Sequence, residues 1–217
     1  MEDKENEEFR ELTDGKEKED RKKVSGPREI ILNLLGIFVT AFILSQVMVH
    51  FVLINAEVPS ESMENSIKPG DRLFGFRLAY TFHDPERFDV VIFRYPVDEE
   101  QNFIKRVIGL PGETVEIREG KIYIDGASEP LEEPYLPEQW TRDNDGYIFK
   151  VPGDSYLMLG DNRNISLDAR FWAQRALAEH VAATEEEAQQ YAFVSDQQIL
   201  GRAVVKYYPG FKSLLAY

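Results

Sequence analysis

The chain has 217 residues, with 25 Lys and Arg against 39 Asp and Glu, for a formal net charge of −14. It contains no cysteine, which excludes a thiol nucleophile, a disulfide and a zinc site built on thiolates. The three histidines, His50, His83 and His180, match no metal-ligand spacing, and the acidic balance argues against nucleic acid as a partner.

Three regimes follow one another along the chain. Residues 1–29 carry 11 acidic and 8 basic side chains and almost no apolar periodicity, so they are read as a disordered tail. A docking segment for a partner is the alternative. Residues 30–54 contain no Asp, Glu, Lys or Arg. As a helix they would extend about 37 Å, more than the roughly 30 Å hydrocarbon core of a bilayer, which predicts one tilted transmembrane helix. A soluble core helix rarely reaches that length without a charge, and a cleavable signal peptide has a shorter apolar region. Arg21, Lys22, Lys23 and Arg28 precede the span and Glu57, Glu61 and Glu64 follow it. This places the N-terminus in the cytoplasm and residues 55–217 outside the cell membrane.

Residues 55–217 carry 28 acidic and 17 basic groups and read as strands and turns. Runs at 72–78, 89–95, 102–110, 113–126 and 199–209 are rich in Val, Ile, Phe and Tyr, with Pro-Gly and Asp-Gly signals between them. Glu113 to Asp125 predicts a hairpin about Glu119-Gly120. No alternation of strand and helix is visible, so the fold class is mainly β and antiparallel. Ala173 to Gln190 is the exception: Ala- and Glu-rich, it predicts two short surface helices, the second restarting at Thr184 through a capping box. His180, within it, is read as a surface or packing residue.

Three features carry chemistry. Directly after the span, Pro59-Ser60-Glu61-Ser62-Met63 places two serines at i and i+2, on one face if a strand continues through them. By itself this is an ordinary polar juncture. Lys105 shares a strand face with Phe103 and Val107. Such a lysine either snorkels to water or is a desolvated amine that can accept a proton, which Arg106 beside it cannot. With histidine scarce, a neutral lysine is the base open to a serine nucleophile. Third, Gly160-Asp161-Asn162-Arg163 and the following Ser166, Asp168 and Arg170 would by themselves read as a loop of structural ion pairs.

Together, Pro-Ser-x-Ser-Met, Arg87-Phe-Asp-Val-Val-Ile-Phe-Arg-Tyr-Pro96, Lys105-Arg-x-x-Gly-Leu-Pro-Gly-Glu113 and the Gly160 to Arg170 run occur in the order and approximate spacing of type I signal peptidases, which this chain resembles from its apolar span to Tyr208-Pro209. The resemblance implies a membrane-anchored serine endopeptidase without cofactor. It would act as a monomer on the signal peptides of preproteins at the lipid bilayer, cutting after small residues of Ala-x-Ala type. It implies Ser62 as nucleophile and Lys105 as general base. The Ser62 amide and Ser60 hydroxyl would form an oxyanion hole, and Ser166 would orient the lysine. Arg106, Asp161, Asp168 and Arg170 would brace the site, and Val58, Pro59, Met63, Ile67, Phe103 and Ile104 would line shallow pockets. Departures include Asn65-Ser66-Ile67 for the usual Pro-Thr-Leu, Asn164-Ile165 for Asp-Asn, and an insertion at about 173–190. Two rival readings remain. A self-cleaving repressor of the same Ser–Lys clan lacks its helix-turn-helix here, and a silent peptide-binding β module leaves Ser62 and Lys105 unexplained.

Overall fold

The computed structural model describes residues 26–136, 140 and 145–215. The charged tail, apart from residues 26–29, lies outside them. The chain divides between Val47 and Met48 into two units. The first contains α1 (Pro27–Val47), with Pro27 at the first helical position, where its missing N–H costs nothing. No α1 residue is buried within the protein. The second unit begins with a π-helical turn at Met48–Val52, after which the chain is extended. Leu53 and Ile54, expected within the apolar helix, therefore belong to the first strand, β1 (Leu53–Glu57).

The strands that follow are β2 (Arg72–Phe76), β3 (Val90–Tyr95), β4 (Asp98–Gly109), β5 (Thr114–Arg118), β6 (Lys121–Ile124), β7 (Tyr147–Lys150), β8 (Ser155–Leu159), β9 (Val194–Ser195), β10 (Ile199–Tyr208) and β11 (Lys212–Ser213). All pairings are antiparallel, as the strand-and-turn pattern predicts. The larger sheet runs β1-β2-β10-β3-β4-β8-β9, with β11 on β10, and the smaller runs β6-β5-β7. The expected hairpin is β5–β6; Glu119 and Gly120 both have positive φ, 51° and 67°, the backbone of a tight two-residue hairpin turn.

β3 explains its continuous apolar run by its place. It lies between β10 and β4, and five of its six residues are buried. β4 is different along its length. Its C-terminal half pairs with β3 on one edge and β8 on the other, while Gln101 to Lys105 pair with β3 alone or with no strand. The helices of the Ala-rich segment are α2 (Ala169–Ala178) and α3 (Glu185–Gln190). Thr184 caps α3 as expected, accepting from the Glu187 amide. The first helix starts earlier than expected because Asp168 caps it, accepting from the Arg170 amide. Nor is the segment merely superficial: Trp172, Ala176, Ala182 and Ala188 are buried in the main core. The Trp172 ring packs against those of Phe93, Tyr95 and Phe103, with centroids 5.6–6.3 Å away. His180 is exposed, with φ of 59°.

Candidate active site

After β1 the chain folds back on itself. Val58 N donates to Asp71 O at 3.0 Å and Gly70 N to Val58 O at 2.8 Å, which closes the loop 58–71. Pro59 has no N–H to extend the strand, and Glu61–Met63 form one 3₁₀ turn. Ser60 and Ser62 are therefore not on one strand face; the turn itself brings their hydroxyl oxygens to 3.2 Å. It also drives Val58, Met63 and Ile67 inward, where they are buried with Leu73, Val90 and Ile92. None of these three is among the residues that line the groove beside Ser62 and Lys105.

Lys105 reaches the loop from β4. Its Nζ lies 2.7 Å from Ser62 Oγ and 3.2 Å from the Ile104 carbonyl oxygen. Ser62 retains 7% of its accessible surface and Lys105 4%, so water is nearly excluded from the pair. Burial pushes the Lys105 amine down from 10.5 to about 8, against the opposing pull of the Asp168 and Asp161 carboxylates. A substantial neutral fraction at mildly alkaline pH makes this amine a proton acceptor, held at hydrogen-bond distance from a hydroxyl.

The loop after β8 backs this pair. Asn162 N donates to Ser62 O at 3.0 Å. Gly160 is wedged between Ser166 and Ser62: a Cβ there would stand 2.1 Å from Ser166 Oγ and 2.5 Å from Ser62 O. The Ser166 hydroxyl is buried beside the pair but makes no hydrogen bond to Lys105, whose second bond goes to its own strand.

The register of β4 on β8 sets Arg106 opposite Leu159, just before Asp161. Arg106 Nε and Nη2 donate to the two Asp161 oxygens at 2.8 and 2.6 Å, Nη1 donates to Phe88 O at 2.8 Å, and Nη2 to Ser66 Oγ at 3.1 Å. Asp168 similarly holds Arg170 at 2.7 and 2.8 Å and accepts from Gly160 N at 3.0 Å. Burial would raise the Asp168 carboxyl, but Arg170 and the Gly160 amide hold it below the usual range. Sequence reasoning missed the parts played by Ser66, Asn65, Glu133 and Tyr135, and gave Arg163 only as a member of the Gly160 to Arg170 run. Asn65 Nδ2 donates to Asp161 O at 2.8 Å, and Glu133 pairs with Arg163. Asn65 and Ser66 occupy the positions noted as departures, which was the available signal.

An open groove of about 730 Å³ runs past Ser62 and Lys105. Of the expected pocket residues Pro59, Phe103 and Ile104 line it, joined by Glu61, Ile165 and Leu167. Phe103 is fixed by stacking on Tyr95, with centroids 4.3 Å apart. Val107 directs its backbone toward β3, since Val107 N donates to Asp89 O and Val107 O accepts from Phe88 N. By the alternation of strand backbones, Asn102 and Ile104 turn their N–H and C=O groups to the groove. The site thus combines a hydroxyl, an amine and a strand edge open to an extended peptide.

A family profile described as signal peptidase, peptidase S26 matches residues 31–208. Signal peptidase I of Leptolyngbya laminosa is 40% identical over 164 residues, 70% of this chain and 67% of that protein. Probable signal peptidase I-2 of Synechocystis sp. is 36% identical over 195 residues, 87% of this chain and 78% of that protein. A crystal structure of a signal peptidase I from Enterococcus faecalis is 31% identical, covering 55% of this chain and 96% of that one with a TM-score of 0.40.

Proposed function

The chain belongs to the signal peptidase, peptidase S26, family and is a serine endopeptidase that cleaves signal peptides, and on that premise we propose that Ser62 is its nucleophile and Lys105 its general base. The observation that carries this reading is the 2.7 Å separation of Lys105 Nζ and Ser62 Oγ in a nearly water-free setting. Neutral Lys105 takes the hydroxyl proton as Oγ attacks the scissile carbonyl. The resulting ammonium protonates the leaving amine, and Lys105 then activates the water that hydrolyses the ester. The Ser60 hydroxyl, 3.2 Å from Ser62 Oγ, and the Ser62 amide stabilise the oxyanion. Rotation of the buried Ser166 hydroxyl toward Lys105 would supply the amine's orienting partner. Arg106, Asp161, Asp168 and Arg170 brace the surrounding backbone.

The substrate lies extended along the free edge of β4, paired with the backbone of Asn102 and Ile104. The fixed Phe103 ring and Ile104 leave shallow space on this edge, which suits small residues of Ala-x-Ala type before the cut.

The residues before Pro27 are the cytoplasmic tail, Pro27–Val52 the membrane anchor and the chain from Leu53 onward the extracytoplasmic domain. The unburied apolar helix Pro27–Val52 supports the anchor, and the flanking basic and acidic residues support the orientation. Ser62 follows Val52, the last residue of the helix, by ten positions, at most roughly 36 Å of extended chain. Cleavage then occurs close to the outer membrane surface.

Ser62→Ala and Lys105→Ala, prepared as full chains in detergent, are expected to leave a preprotein with an Ala-x-Ala site uncut while circular dichroism is unchanged. Parental activity in either would overturn the dyad.

A further inference from the structure

Among the described residues between β6 and β7, two side chains reach the framework around the candidate dyad. Glu133 accepts two hydrogen bonds from Arg163, from Nη1 at 3.0 Å and from Nη2. Only 8% of the Glu133 side chain and 2% of the Arg163 side chain remain exposed. Tyr135 donates its hydroxyl proton to the same carboxylate at 2.6 Å, and its ring lies under the Arg106 guanidinium, 4.0 Å from centroid to Cζ. Arg163 Cζ also lies over the Trp140 ring, 4.6 Å from its centroid.

Each arginine is a neighbour of the chemistry. Arg106 follows Lys105 in β4 and holds Asp161. Arg163 Nε donates to Gly160 O at 3.0 Å, and Gly160 is the residue wedged against Ser166 and the Ser62 carbonyl. Asn162, between Asp161 and Arg163, holds Ser62 O through its amide. One short segment outside all four recognised motifs therefore touches both the strand that carries the amine and the loop that backs the hydroxyl.

We infer that Glu133 and Tyr135 are positioning residues for peptide cleavage: together they lock Arg163 and Arg106, and thereby hold Ser62 and Lys105 in reacting register. Neither lines the groove, so neither contributes to binding substrate. Their effect falls on the chemical step, where a displacement of about 1 Å costs on the order of 100-fold in rate. It also falls on the water-free setting of Lys105, because Ile165 and Leu167, which wall the groove beside the amine, belong to the loop that Arg163 anchors. The groups facing Lys105 are the Ser62 hydroxyl, the Ile104 carbonyl and the Phe103 ring, with the Asp161 and Asp168 carboxylates acting at longer range. Those facing Glu133 are Arg163 and the Tyr135 hydroxyl.

The inference rests on the Ser62–Lys105 assignment, and the test separates the two. Glu133→Gln, Tyr135→Phe and Tyr135→Leu would be compared with the parent and with Ser62→Ala, as full chains in detergent. Active sites would be counted with a serine-reactive acylating inhibitor. For Glu133→Gln and Tyr135→Leu, kcat per titrated site should fall about 10- to 100-fold with KM within about threefold. The midpoint of the alkaline rise in kcat/KM should move upward as water reaches Lys105. Tyr135→Phe keeps the ring under Arg106 and should retain most of the activity. Parental kcat per site and a parental pH midpoint in Glu133→Gln or Tyr135→Leu overturn the inference, as does a loss confined to KM or to the number of sites. Should Glu133→Gln be too unstable to assay, Glu133→Asp takes its place with the same outcomes. Activity in Ser62→Ala would instead overturn the dyad, whatever the Glu133 variants do.

Discussion

Arg106 and Asp161 meet through two parallel hydrogen bonds, 2.8 and 2.6 Å long, with 1% and 0% of their side chains exposed. Removing one partner of such a pair leaves the other as an uncompensated buried charge, a larger loss than the pair itself contributes. Asp161→Ala should therefore destabilise the folded chain by about 3–5 kcal/mol, read from denaturant unfolding. An effect below about 1 kcal/mol, the range of exposed pairs, would mean that water reaches Arg106.

The lowered affinity of Lys105 for protons sets the pH dependence of cleavage. If the neutral amine is the base, kcat/KM rises with pH through about 8 and levels above it, since substrate and nucleophile titrate elsewhere. A profile set entirely below pH 6 would assign the proton transfer to a carboxylate.

The same amine weighs on stability. Below pH of about 8 it is charged in both folded and unfolded chains, and the folded chain bears the cost of burying it. Between 8 and 10.5 the unfolded chain binds the proton that the folded chain has released, so stability rises with pH; above 10.5 the cost is gone. Lys105→Met should accordingly be inactive yet more stable at pH 7, by on the order of 3 kcal/mol, with the advantage shrinking across that interval. Equal unfolding free energies at pH 7 and pH 10.5 for the pair of proteins would contradict this.

Gly160→Ala tests how closely the β8 loop is fitted to the site. The added methyl would lie 2.5 Å from Ser62 O, a backbone atom that no rotamer change can move. The loop must shift, the bond from Asn162 N to Ser62 O weakens, and cleavage should fall at least about tenfold, with Ser166→Ala unable to restore it. Undiminished turnover would show that the loop has slack.

Ser60→Ala removes one side-chain donor from the proposed oxyanion site. From the general cost of such a deletion, kcat should fall about 100-fold or more while the acylating inhibitor still labels Ser62. A change in KM alone would assign Ser60 to binding.

What could be read from the chain beforehand follows the range of the interactions. β3, β4 and the β5–β6 hairpin were legible because their apolar runs end at strong turn formers and their residues pair locally. β1 was not, because Leu53 and Ile54 continue the apolar composition of the preceding helix and only pairing with β2 makes them a strand. The start of α2 was hidden because Asp168 both caps the helix and holds Arg170. In the site, residue chemistry left both Ser62 and Lys105 with ordinary alternatives, and the four motifs taken together singled them out; the fold brings them together across 43 positions. The fates of Val58, Met63 and Ile67 depended on a 3₁₀ turn with no periodic signal. The contacts of Glu133 and Tyr135 come from an irregular segment whose partners lie about 30 positions away, beyond the reach of any local pattern.

The placement of Lys105 and Arg106 side by side on β4 has a consequence for fidelity of folding. A strand that slides by one residue exchanges its two faces, so the neighbouring misfolded register would present a guanidinium to Ser62 in place of an amine. That molecule would be permanently cationic at its centre and incapable of taking a proton. In that register the Asp161 carboxylate, which fits the fork of Arg106, would face the apolar Val107 instead. The ion pair thus works as an index mark: it is satisfied only when the strand is seated so that the titratable cation, not the fixed one, faces the hydroxyl.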